Sequence, residues 1–129
     1  MSFILIPKRG EDLQVNGWNW RPTLELLRAE NLLNQENYER MGANGCGGQV
    51  GDELAYRIAD VIERRLSGMR PGERMLSDQT VTVKAKKKLI LTPETKVEEI
   101  DAMDVYSASY EWLVMFRDFC RSSGGFDVS

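Results

Sequence analysis

The stretch NGWNWRP, residues 16 to 22, sets two tryptophans one residue apart, with asparagines before and between them and an arginine after. In an extended chain alternate side chains share a face, so Trp18 and Trp20 would stand side by side. With Arg21 and Asn19 supplying polar contacts, such a pair forms an aromatic platform for a flat ligand, a base or a sugar. The competing use is structural: each indole buries a large area and anchors the chain onto the leucines that follow. Tryptophan more often goes inside, so the pair is expected mainly as an anchor, with one indole showing an edge to solvent.

The remaining chemistry is sparse. The chain has no histidine, which removes Ser-His-Asp and Cys-His catalysis and every His-ligated metal site. The stretch GANGCGGQVG, Gly42 to Gly51, is half glycine and reads as a loop. A glycine-rich loop before a helix can cradle a phosphate. Here it fits neither G-x-x-x-x-G-K-[ST] nor G-x-G-x-x-G, and Asp52 and Glu53 would repel an anion. Its Asn44 presents adaptable backbone suited to a partner. The run Lys84-Ala85-Lys86-Lys87-Lys88 lacks interleaved aromatics, so it reads as a solvated hairpin tip guarding an edge strand rather than a nucleic-acid patch. Glu98, Glu99, Asp101 and Asp104 match no EF-hand spacing and read as a solvated acidic face. Cys46 and Cys120 lie far apart without metal or redox spacing. Cys120 is expected in the core, and Cys46 has no histidine to activate it.

Elements that must position these residues follow from periodicity. Phe3 to Ile6 predicts a short buried strand, and Leu13 and Val15, extending to Trp18, a second one, with Asn16-Gly17 as a turn or bulge signal. Pro22 suits the first turn of a helix running through Leu33. Asn34 caps a short helix that stops at Gly42. Leu54, Ile58, Val61, Ile62 and Leu66 form one stripe of a 3.6-residue repeat, with acids in the first turn and Arg64 and Arg65 in the last. Thr80 to Val83 and Leu89 to Leu91 suggest a hairpin. Thr92-Pro93-Glu94 opens a short helix through Met103. A last helix starts near Asp104 or Ser107, carries Trp112, Leu113, Phe116, Phe119 and Cys120 on one face, and ends at Gly124-Gly125. Phe126 and Val128 add a terminal strand.

At 129 residues, 42% hydrophobic and 29% charged, the sequence fits one globular domain, residues 1–129. Its expected fold is α+β, helix-rich, with a small antiparallel sheet or hairpin. No run approaches the roughly 20 apolar residues of a bilayer span, and Phe3 to Ile6 is too short for a signal-peptide core. These point to the cytoplasm with reduced thiols. Net charge is −3, divided unevenly: −4 over residues 1–63, +6 over 64–96 and −5 over 97–129. That asymmetry biases association without fixing a fold.

The NGWNWRPTLELL start, the loop after ERMG, the helix ELAYRIADVIERRL and the ending YSASYEWLVMFRDFCRSSGGF resemble a loose group of small uncharacterised bacterial proteins. They share an N-x-W-x-W-x-P start and an aromatic C-terminal helix, and no activity is known for the group. The resemblance covers most of the chain, implies a bacterial cytoplasmic protein, and carries no catalytic residue across. The leading functional expectation is a small non-enzymatic protein-interaction module, accessory, regulatory or immunity-like, with another protein as its partner. It uses no cofactor or metal, no membrane and no nucleic acid. Its expected contact surface comprises Trp18, Trp20, Arg21 and Asn44. The alternative is a small-molecule-binding domain or weak enzyme, with a pocket between Trp18–Arg21 and the Gly42–Gly51 loop.

Overall fold

The computed structural model describes residues 2–43, 47–82 and 106–129. Its strands are β1 (Ser2–Pro7), β2 (Leu13–Asn16), β3 (Gly48–Val50), β4 (Arg74–Leu76), β5 (Val81–Thr82), β6 (Ser107–Ser109) and β7 (Phe126–Val128). Its helices are α1 (Gly17–Ala29), α2 (Gln35–Met41), α3 (Asp52–Leu66) and α4 (Tyr110–Ser122). Among the described residues the strands form two small antiparallel sheets, ordered β2-β1-β7-β3 and β5-β4-β6, so the fold is α+β.

Alternation along β1 buries Phe3 and Leu5, which pair with Val15 and Leu13 of β2. On its other side β1 takes the C-terminal strand, with Leu5 opposite Val128. The two chain ends thus share one sheet, and its inner face meets α1 and α4 through Phe3, Trp20, Phe116 and Phe126. The stripe along α3 buries Ile58, Val61, Ile62 and Leu66, as its periodicity predicts. Glu63 on its exposed side meets the Arg117 guanidinium of α4 at 2.6 Å. That hydrogen bond, with a second to Asp118, raises the arginine's pKa.

Two local expectations are corrected. The segment Gly42–Gly51 is not loop throughout, because Gly48–Val50 pairs with β7. A Cβ on Gly48 would stand 2.3 Å from the Met41 Cγ, so this glycine permits close packing of β3 on α2. The outer edge of β3 is covered by Asn37, whose amide donates to the Gln49 carbonyl at 3.0 Å and accepts from its N–H at 3.4 Å. Val81–Thr82 pairs with the preceding Arg74–Leu76. The turn between them has Gln79 in the left-handed region at φ 69°, and the Asp78 carboxylate accepts the Thr80 N–H at 2.9 Å. That bond holds the Asp78 carboxyl below its usual range. Finally, α1 stops at Ala29 rather than Leu33. Asn31 is left-handed at φ 60°, and the N–H groups of Leu32 and Asn31 return to the carbonyls of Leu27 and Arg28, the two bonds of a Schellman cap.

The Leu89–Leu91 arm, the lysine run, the Thr92–Met103 helix and the acidic group from Glu98 to Asp104 lie outside the described residues, as does Cys46. Among the described residues, no helix is long and apolar enough to cross a membrane.

Candidate functional site

Asn16 decides the fate of both tryptophans. Its side-chain Oδ1 accepts the Asn19 backbone N–H at 2.9 Å and the Asn19 side-chain amide at 3.1 Å. Asn16 is therefore the N-cap of α1, and Gly17 is the first helical residue. The expected extended geometry is overturned. Each helical residue turns the chain by about 100°, so side chains two apart diverge by about 200°. Trp18 and Trp20 accordingly part company: Trp20 is 1% exposed and Trp18 is 42% exposed. Pro22, expected in the first turn, is the sixth residue of the helix and is buried.

Trp20 is the anchor. Its indole N–H donates to the Met41 carbonyl at 2.8 Å, tying α1 to the end of α2. Its ring meets Trp112 and Phe116 edge-on, with centroids 6.3 and 5.5 Å away. Trp112 in turn stacks on Phe116 and donates its indole N–H to the buried Thr23 hydroxyl at 2.9 Å. That hydroxyl donates onward to the Asn19 carbonyl at 2.8 Å. The Asn19 side chain also accepts the Ser109 N–H at 2.9 Å, and the Ser109 hydroxyl caps α4 through the Trp112 N–H at 3.0 Å. The asparagines of the motif thus lock the start of α1 to the start of α4.

Trp18 points the other way and pairs with Tyr106, centroids 5.0 Å apart and planes inclined by 38°. Tyr106 immediately precedes β6, which Arg74 steadies by donating to the Ser107 hydroxyl at 2.6 Å and to its carbonyl at 3.0 Å. Burial lowers the Arg74 pKa, and nearby Glu111 opposes that shift. Between the Trp18–Tyr106 pair and the sheet lies an open cleft of about 280 Å³. Phe3, Trp20 and Leu24, all buried, contribute its apolar lining, and Gly17, Arg21 and Gly42 add to it. Arg21 is exposed and has no ion-pair or hydrogen-bond partner among the described residues.

Three of the four sequence-derived surface residues therefore line one cleft: Trp18 and Arg21 from its exposed side, and Trp20 from its buried side. Trp20 offers a partner no free indole N–H and contributes its buried ring to the cleft. Asn44 lies outside the described residues, although Gly42, at the start of its segment, lines the cleft. Sequence reading missed Tyr106 and Phe3. The available signal for Tyr106 was an aromatic placed just before the Ser-x-Ser helix cap, but its partner is 88 positions away in the chain.

Other groups with chemical capacity are accounted for structurally. Cys120 is a free, buried thiol whose pKa burial pushes well up, away from the reactive thiolate. Among the described residues no group of three or more Cys, Asp or Glu side chains is placed to hold a metal ion. No protein-family model matches the chain, and neither a curated protein nor a solved structure is significantly similar to it.

Proposed function

We propose that this protein is a recognition module, of accessory, regulatory or immunity-like kind, that binds another protein by admitting one of its side chains to the Trp18–Tyr106–Arg21 cleft. The observation that carries this reading is the separation of the two tryptophans. Trp18 is held 42% exposed against Tyr106, on a foundation that Trp20 anchors. Trp, Tyr and Arg are the residue types that dominate binding energy at protein interfaces, where an anchor fills a preformed pocket. Large aromatic faces exposed beside an apolar recess cost solvation in the free protein and regain it on contact. The test is a pull-down with the tagged chain from the lysate of its source, run beside a Trp18→Ala, Arg21→Ala variant whose folding is verified by circular dichroism. One protein retained by the wild type and lost by the folded variant supports the reading. Equal retention by both, or none by either, overturns it.

The second reading is a small-molecule site or weak enzyme at the same cleft. Its support is size: about 280 Å³ stands just under the roughly 300 Å³ at which small-ligand pockets begin. Convergent polar groups would favour it, and among the described residues Arg21 is the one charged side chain in the lining. The protein-binding reading therefore takes precedence.

A further inference from the structure

We infer that the partner segment received by the cleft is an acidic stretch carrying an aromatic anchor, a Phe, Tyr or Trp flanked by carboxylates. This deepens the protein-recognition reading of the cleft and rests on it.

The lining selects the body of the incoming group. Phe3 and Leu24 have no side-chain polar atom, and the Trp20 indole N–H is engaged by the Met41 carbonyl at 2.8 Å. A polar group inserted there would lose its water without a replacement from these side chains, so an apolar body is required. The rim selects for a ring. Trp18 and Tyr106 stand at 5.0 Å and 38°, and a third ring entering beside them can meet an indole or phenol face edge-on, a geometry aliphatic side chains cannot use.

The mouth selects the charge. Several arginines of the described surface already hold a carboxylate: Arg40 pairs with Glu36, Arg64 with Glu30, and both Arg117 and Arg121 with Glu63. Arg28 lies over the Tyr38 ring at 4.7 Å. Arg21, in the lining itself, has no such partner among the described residues. Its planar guanidinium fits a carboxylate bidentately. The same cation opposes the other ligand that aromatic walls suggest, a methylated ammonium, because two positive charges would meet at the cleft. An apolar ring with carboxylates on its flanks satisfies lining, rim and mouth together.

The experiment titrates the full-length protein with acetyl-Glu-Phe-Glu-amide, its Gln-Phe-Gln, Lys-Phe-Lys and Glu-Ala-Glu counterparts, and indole-3-acetate. The readout is the indole N–H signals by ¹H–¹⁵N NMR, with a Trp18→Phe variant assigning the Trp18 resonance. The Glu-Phe-Glu peptide is expected to shift that resonance saturably and to bind about threefold more tightly than the Gln-Phe-Gln peptide at low salt. That margin is expected to shrink as salt rises and to vanish in Arg21→Gln. The Glu-Ala-Glu peptide is expected to leave the resonance unmoved. Equal binding by the Glu and Gln peptides, or tightest binding by the Lys peptide, overturns the acidic specification and leaves the cleft as a protein site. Failure of every Phe-containing peptide to shift Trp18 overturns the cleft reading as well. Indole-3-acetate binding at least about tenfold more tightly than any peptide overturns the protein partner in favour of a free aromatic acid.

Discussion

Replacing Thr23 with valine tests the internal lock on which the cleft stands. Thr23 is wholly buried, and its hydroxyl bridges two elements by accepting from Trp112 and donating to the Asn19 carbonyl. Valine keeps the side-chain shape and the β-branch, so no cavity opens. What changes is satisfaction: the Trp112 indole N–H loses its acceptor in a buried setting. An orphaned buried donor costs about 1–3 kcal/mol, and the Asn19 carbonyl loses a second, weaker interaction. The expected destabilisation is therefore about 2 kcal/mol, near 1 M in urea midpoint for a domain of this size. Urea unfolding by far-ultraviolet circular dichroism measures it, with the slope expected to stay constant. The discriminating step is a cycle with Trp112→Phe, which removes the N–H itself. On that background Thr23→Val is expected to cost about 1–2 kcal/mol less than on the wild type. An equal cost on both backgrounds refutes the hydrogen bond as the source of stability and leaves only packing.

The two tryptophans of the motif are expected to respond oppositely to truncation. Trp20→Ala is expected to cost about 3–5 kcal/mol, whereas Trp18→Ala is expected to cost under about 1 kcal/mol, because Trp18 is 42% exposed. Denaturant midpoints and iodide quenching, which is expected to reach Trp18 alone, check both. Gly125→Ala is expected to destabilise by about 2 kcal/mol or more, since Gly125 has φ +106° and its added Cβ would lie 2.8 Å from the Val50 carbonyl oxygen. A thermal melt within about 2 °C of wild type would remove that argument. Cys120 links stability to alkaline pH. Its folded pKa is raised by burial above its unfolded value of about 8.5, so the group's contribution is full below that pH and is lost as pH rises. The slope of stability against pH above about 9 is expected to be less steep in Cys120→Ala, by up to about 1.4 kcal/mol per unit. Identical slopes would show that the thiol does not discriminate between the two states.

Elements carried by hydrophobic periodicity or by a cap complete in the local sequence were legible, and those decided by a contact from a distant part of the chain were not. The stripe from Leu54 to Leu66 and the Asn34 cap of α2 stand where periodicity and capping chemistry place them. The terminal strand from Phe126 to Val128 does too, although its position between β1 and β3 depends on pairing across the whole chain. Asn16-Gly17 is different. The dipeptide is a good turn signal and an equally good cap followed by a permissive first helical residue. The choice is made by Asn19, whose backbone N–H completes the cap while its side chain takes the Ser109 N–H from 90 positions away. Local propensity does not contain that second bond. Similarly, Gly48 looked like one more glycine of a loop until Met41 was packed against it.

That one decision at Asn16 creates the site. Had the chain stayed extended through Arg21, both indoles would lie on one face and would be buried or exposed together. Starting the helix at Gly17 rotates Trp20 into the core and Trp18 away from it. The buried ring then fixes the floor, through Met41 and the Trp112–Phe116 stack, beneath the exposed ring that Tyr106 supports. The residue whose N–H completes the cap of α1 also brings the Tyr106 segment within reach, because the Asn19 side chain holds Ser109, three residues after Tyr106. An Asn19→Ala variant is therefore expected to affect both ends of this coupling. It loses about 1–2 kcal/mol of stability from the unpartnered Ser109 N–H, and the Trp18 indole becomes more open to quenching as Tyr106 is released. Loss of stability without any change at Trp18 would mean that the aromatic pair holds itself together, and that the lock and the cleft are separate features of the fold.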